Sequence, residues 1–146
     1  MPQYTPAAHV VAQHLLAYEI TQGTPAEPPG QAVVRACEKL CASFSRFAGV
    51  AGFRSILARS LALAQRDTPW LASVEVTGDG ALAGFGEGAQ AQDPAAAAAG
   101  GCAILEQFLG LLYIFVGEPM TRRLLADVWP DAPFVTPPPG TQEYAR

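Results

Sequence analysis

Apolar residues recur at three- and four-residue steps along much of the chain, which is the spacing of one buried face of an α-helix. This period predicts a first helix over residues 7–21, a second over 31–48 and a third over 53–65. Because only residues 49–52 separate the second helix from the third, we expect these two to pack as an antiparallel hairpin. Residues 22–30 are rich in proline and glycine and are predicted to form a loop.

The period changes from helical to alternating at residues 73–77. Gly78-Asp79-Gly80 follows as a strong turn signal, and residues 81–83 can supply a second strand, so a small β-hairpin is predicted here. Residues 85–101 are low in complexity, and Gly100-Gly101 is expected to interrupt any helix in the alanine run before it. We therefore predict a flexible linker over 85–101.

The fourth predicted helix, over residues 102–116, is apolar around most of its circumference, which indicates a central position. Gly117 can end it, and a fifth helix then runs from Glu118 to about Trp129, where Pro130 stops it. The predicted fold is all-α or mainly α: a four- to five-helix bundle with a small β-hairpin inserted between helices 3 and 4. It forms one domain over residues 1–131, with a core from 30–84 and 102–129 and a proline-rich tail over 132–146.

Charge and cysteine content indicate which binding partners and which cellular compartment to expect. The net charge is −4, and no Lys or Arg precedes Arg35, so the basic footprint of a nucleic-acid-binding protein is missing. The first residues lack the pattern of a secretory signal, and three cysteines do not make a disulfide framework. We therefore expect a cytoplasmic protein that binds no nucleic acid. The preference for arginine over lysine, with abundant Ala, Gly and Pro, suggests a GC-rich bacterial genome.

The apolar fourth helix also raises the question of a membrane span. Residues 95–117 contain one charged residue, Glu106, and are long enough to cross a bilayer. However, Glu106 and Gln107 lie at the middle of this stretch, and the strongly apolar part, residues 108–116, is too short to span. A buried core helix is therefore expected, with no membrane span.

Cysteine and histidine do not form a recognisable site. Cys37 and Cys41 lie one helical turn apart, which could indicate a redox pair or half of a metal site, but both fall in the apolar stripe and are expected to be core residues. Cys102 has the same interpretation. His9 and His14 point about 140° apart on a helix, so they cannot readily share a metal. We expect no metal and no cofactor.

The presence of Glu106 in an apolar helix needs an explanation, because a carboxylate there must be paired, protonated or near the surface. It shares a narrow strip of the fourth helix with Ala103, Gly110, Tyr113 and Gly117. The small residues of this strip would let another backbone approach, either within the bundle or across a dimer interface. A structural ion pair or hydrogen bond is expected for Glu106, with Arg54, Arg59 or a nearby arginine as the candidate partner; the alternative is a ligand-binding or acid–base role.

The remaining charged positions look structural. Arg122 and Arg123 are typical of a solvated helix face rather than an anion site, and Arg123 is spaced to pair with Asp127. The chain has no phosphate-binding loop and no nucleophile motif. The leading functional hypothesis is a non-enzymatic interaction or regulatory module that acts as a homo-oligomer or a partner-binding subunit. The alternative is a small-molecule-binding helical pocket, or an enzyme of unfamiliar type, that uses Glu106 and Tyr113.

Several short segments resemble landmarks of small bacterial helical proteins. They include Gly52-Phe53-Arg54, Pro69-Trp70-Leu71, Gly117-Glu118 and Val128-Trp129-Pro130. The resemblance covers about residues 33–131. It implies a helical fold and carries no function with it.

Overall fold

The structure, a computed structural model, describes residues 8–28 and 30–132, without the side chain of Phe47. It is mainly helical with one two-stranded hairpin, as predicted. The elements in chain order are α1 (Ala8–Gln22), α2 (Gln31–Asp67), a 3₁₀ turn (Pro69–Ser73), β1 (Glu75–Val76), β2 (Leu82–Ala83), α3 (Phe85–Gln90), α4 (Pro94–Phe115) and α5 (Glu118–Val128). Residues 133–146, the greater part of the predicted tail, lie outside the described residues.

The predicted second and third helices are two halves of α2, joined at a kink rather than separated by a loop. Gly49 forms the kink with φ 81° and ψ 160°, a conformation that residues with a Cβ rarely adopt. Phe44 and Phe53 meet across the kink with ring centroids 6.0 Å apart. Both rings also contact Phe108 of α4, at 6.4 and 5.5 Å. The kink therefore lets both halves of α2 pack against the same helix.

Helix α4 is central, as its apolar circumference predicts. It packs against α1, α2, α3 and α5. One side of it is buried almost completely, through Ala97, Gly100, Gly101, Ile104, Leu105, Phe108, Leu109 and Leu112. The hydrophobic core of the described chain is built around this side.

The linker prediction for residues 85–101 is wrong. The segment contains α3 and the first two turns of α4, and Phe85 and Ala89 are fully buried. Asp93 caps α4, since its side chain accepts a hydrogen bond from the amide of Ala96 at 2.7 Å. The helix continues through Gly100 and Gly101 because neighbouring side chains pack where their Cβ atoms would lie: Trp70 at Gly100 and Val33 at Gly101.

The β-hairpin pairs Glu75 with Ala83 and Val76 with Leu82 in antiparallel register. Its tip contacts α2: the Sγ of Cys41 donates to the carbonyl of Asp79 at 3.8 Å, and Arg54 donates to the carbonyl of Gly78 at 3.4 Å. A two-stranded hairpin is marginal alone in water, so this docking on α2 accounts for its stability.

We expect Gly101→Ala to lower the free energy of unfolding, because its new Cβ would overlap the stiff side chain of Val33. Overpacking of this kind costs about 1–3 kcal/mol, which outweighs the helix propensity gained. Gly86→Ala is the matched control, since an added Cβ there meets nothing within 4 Å. Chemical denaturation should find Gly101→Ala destabilised and Gly86→Ala equal to or above the wild type. Equal stability of the two variants would contradict the packing described here.

Candidate functional site

The strip predicted on the fourth helix lies on the outward side of α4. Ala103, Glu106, Gly110 and Tyr113 are each half-buried there. A Cβ built on Gly110 has nothing within 4 Å, so no other part of the described chain approaches it. Close approach within the bundle, one of the two interpretations of the strip, is therefore not observed at Gly110. Approach by a second molecule stays a prediction.

Gly117, the last member of the strip, lies just beyond α4. Its φ of 89° and ψ of 160° place it in the tight turn before α5, where it serves as the N-cap residue. The structure therefore places Ala103, Glu106, Gly110 and Tyr113 together along the helix and sets Gly117 at its end.

Large apolar side chains are exposed near the junction of α4 and α5. Ile114 and Phe115 are 76% and 63% exposed at the end of α4, and Met120 is 41% exposed in the first turn of α5. Ile114 follows Gly110 by one helical turn and lies beside the strip, whereas Phe115 projects about 140° away from Gly110 and Met120 lines a cavity between α2 and α5. We define the open face as the outward residues of α4 with Ile114: Ala103, Glu106, Gly110, Tyr113 and Ile114. Glu106 is the only residue of this face that carries a charge.

Glu106 does not have the ion pair that the sequence suggested. It makes no hydrogen bond or ion pair with any described residue, and Arg54 donates to the carbonyl of Gly78 instead. Burial raises the pKa of Tyr113, and the positive charge of Arg122 offsets part of this increase. The phenol is therefore a neutral hydrogen-bond donor on the open face.

Helix α4 is, among the described residues, the one helix that is long and apolar enough to cross a membrane by length and composition. Fewer than half of the residues in its most apolar stretch are buried against the rest of the chain. The apolar residues of α4 are thus divided between the core and the open face.

A buried ion-pair cluster lies at the opposite side of the fold, where α1, α2 and α5 meet. Glu19 of α1 is fully buried. Its carboxylate accepts hydrogen bonds from Arg35 Nε at 2.7 Å, from Lys39 Nζ at 2.5 Å and from Trp129 Nε1 at 2.6 Å. Arg35 also donates to the backbone carbonyl of Glu19 at 2.7 Å and to Glu27 at 2.5 Å. We call these five residues the Glu19 cluster.

The environment of Glu19 favours its charged form. Burial alone would raise its pKa, but hydrogen bonds from Lys39, Trp129 and Arg35, with the charge of Lys39, outweigh burial, so the pKa of Glu19 is lowered. Glu27, followed by Glu19, raises the pKa of Arg35. Glu19 and Arg35 therefore both carry their charge at neutral pH, and the arrangement stabilises the fold rather than supplying a proton.

The sequence pattern does not reveal this cluster, because Arg35 and Lys39 fall on the side of the second helix opposite its apolar stripe. A signal was present in α1: its buried residues Val11, Ala12, Leu15 and Leu16 continue at helical spacing to Glu19. A carboxylate at the next position of a buried stripe needs cationic partners. Arg35 and Lys39, one turn apart, could then have been considered as those partners.

Cavities open at several places on the described surface. A groove of about 480 Å³ lies between the end of α1, the following loop and the starts of α2 and α4, with Ile20, Pro25 and Val33 in its walls. A second, of about 340 Å³, lies between α2 and the hairpin tip beside Cys37 and Cys41. A third, of about 220 Å³, lies between α2 and α5. None of the three is lined by Glu106 or Tyr113.

The cysteines are not arranged for thiol chemistry. All three are free. Cys37 is buried, and burial raises its pKa to about 12, which keeps it a neutral thiol. Cys41 and Cys102 are half-buried, and burial also raises the pKa of Cys102. Cys37 therefore packs in the core, as expected, with Cys41 and Cys102 at its edge.

Comparison with known proteins gives no relative from which a role can be transferred: no family model, no curated protein and no solved structure matches this chain.

Replacing the central carboxylate should destabilise the fold strongly. Glu19→Gln leaves the charges of Arg35 and Lys39 without their buried partner, and we expect a loss of about 3 kcal/mol in the free energy of unfolding. Glu118→Gln is the control, because it breaks the more exposed pair with Arg122 within one helix and should cost less than about 1 kcal/mol. Urea denaturation of both variants measures the contrast. Similar small losses in the two would show that the cluster contributes little.

The stability lost in Glu19→Gln should depend on pH. Because the pKa of Glu19 is lowered in the folded state, its ionised form stabilises the protein above the ordinary carboxyl pKa of about 4.3. That contribution is lost as the pH falls through the lower folded-state pKa. The difference in the free energy of unfolding between wild type and Glu19→Gln should therefore be largest at neutral pH and smaller in acid. Denaturation at several pH values measures this difference. A difference that grows in acid would contradict the assigned direction.

Proposed function

We propose that this protein is a non-enzymatic interaction module that self-associates through the open face of α4. The observation that carries the proposal is the exposure of Ile114, one helical turn from an unobstructed Gly110. Contiguous exposed apolar surface typically marks an interface in soluble proteins.

The spacing of the open face suits a second copy of the same chain. In an antiparallel pair of α4 helices with a two-fold axis at Gly110, Ala103 of one protomer lies level with Gly117 of its partner. Glu106 then lies near the level of Tyr113 across the interface. The Tyr113 hydroxyl can donate to the Glu106 carboxylate, which would supply a partner that Glu106 does not have among the described residues of its own chain.

The size of α4 is adequate for such an interface. A helix of 22 residues is about 33 Å long. The two-fold arrangement is isologous, so both protomers use the same surface and the assembly closes as a dimer.

The alternative, a pocket or active site around Glu106 and Tyr113, has less support. Both residues lie on the open face, outside the three cavities. An open helix surface does not exclude water or surround a small molecule as a ligand pocket does.

The test is light scattering coupled to size exclusion over a series of protein concentrations. The wild type should have about twice the monomer mass of 15.3 kDa. Gly110→Leu fills the space needed by the partner helix and should weaken dimerisation by at least about tenfold, roughly 1.4 kcal/mol or more. It should still fold, because the monomer leaves room at this position.

Ala58→Leu is the matched control, an added side chain at an exposed position of α2 away from the open face. It should dimerise as the wild type does. A wild type that stays monomeric over the whole concentration series would overturn the proposal, and so would a Gly110→Leu variant that dimerises unchanged.

A further inference from the structure

The smallest of the three cavities lies between facing stripes of α2 and α5. Ser43 and Arg46 line it from α2, one helical turn apart. Met120, Arg123, Leu124 and Asp127 line it from α5, at the three- and four-residue steps of one helix face. The cavity, of about 220 Å³, thus joins residues that are distant in sequence.

The charges around this cavity are not satisfied by one another. The expected ion pair between Arg123 and Asp127 is not among those of the described residues, where Arg122 pairs with Glu118 instead. Arg46 has no ion-pair partner there either. Two guanidinium groups therefore face the cavity with one carboxylate, which leaves a net positive charge.

A buried hydroxyl adds a further donor. Ser43 is only 6% exposed, and its Oγ has no hydrogen-bond partner among the described residues. A buried polar atom without a partner is unfavourable, and each one in a folded protein needs a reason. The Oγ has almost no accessible surface in this conformation, so an acceptor in the cavity would provide that reason once the Ser43 side chain turns toward it.

We propose that this cavity binds the phosphate group of a small molecule. Arg46 and Arg123 donate to the phosphate oxygens with the forked geometry that guanidinium offers, and the Ser43 hydroxyl, turned toward the cavity, donates a further hydrogen bond. Met120 and Leu124 provide an apolar wall for the remainder of the molecule. Asp127 limits the positive charge, which suits a single phosphate group rather than a polyphosphate.

Inorganic phosphate is the probe, titrated into isotopically labelled protein with chloride replaced to hold the ionic strength constant. Amide shifts of residues near Ser43 and Arg123 should saturate. Arg46→Gln and Arg123→Gln should each weaken binding at least tenfold, and Ser43→Ala about threefold. Arg59→Gln, an exposed arginine of α2 outside the cavity, should bind as the wild type does. Thermal unfolding of each variant confirms that it folds.

Three results would overturn the proposal. The first is the absence of saturable shifts in the wild type. The second is equal weakening in Arg59→Gln and in the cavity variants, since that would indicate non-specific attraction. The third is binding to phosphatidylglycerol vesicles that soluble phosphate does not compete away, because the phosphate group would then belong to a lipid. The oligomeric state is measured separately, so failure here leaves the proposed self-association unaffected.

Discussion

The buried carboxylate of Glu19 joins α1 to α2 and to the distant residue that follows α5. Among the described residues it is the only charged side chain that is fully buried, and it accepts hydrogen bonds from two residues of α2 and from Trp129 after α5. Because both carboxylate oxygens accept hydrogen bonds from these elements, the cluster fixes the orientation of α1 and of the end of α5 against α2. An apolar replacement of the whole cluster could be as stable, but it would not specify these positions so closely.

This constraint leaves α4 with two different sides. The Phe44, Phe53 and Phe108 rings pack one side into the core, and the kink at Gly49 lets both halves of α2 reach it. The other side remains uncovered by the described chain. The same apolar composition therefore serves the core on one side and, in the proposed function, a second molecule on the other.

The pattern of apolar positions predicted α1, both halves of α2, α5, the hairpin and the central position of α4, but not α3 or the first turns of α4. The remaining features of the fold depend on packing between residues distant in sequence, which the apolar pattern does not reveal. Gly100 and Gly101 look like helix breakers in sequence, yet both lie within α4 because Trp70 and Val33 occupy the space beside them.

The candidate sites also depend on contacts between helices that the sequence pattern does not reveal. The strip containing Gly110 could be placed on one face of a helix, since the helical period fixes direction. The partners of Glu19 could not be found from that period, because it cannot tell a solvent-facing Arg35 from one that turns toward α1. Nor could it bring Ser43 of α2 together with Arg123 of α5, which required the packing of the two helices.

The central claim, an antiparallel pairing of α4 about Gly110, is tested most directly by cross-linking. In a Cys41→Ala/Cys102→Ala background, where only the buried Cys37 remains, Gly110→Cys places a thiol at the proposed two-fold axis. Its copies should come within the Cα separation of about 6 Å that a disulfide requires and form a covalent dimer on mild oxidation. Ala58→Cys, on the exposed side of α2, should not. Equal cross-linking of the two variants, or none in Gly110→Cys, would contradict the account.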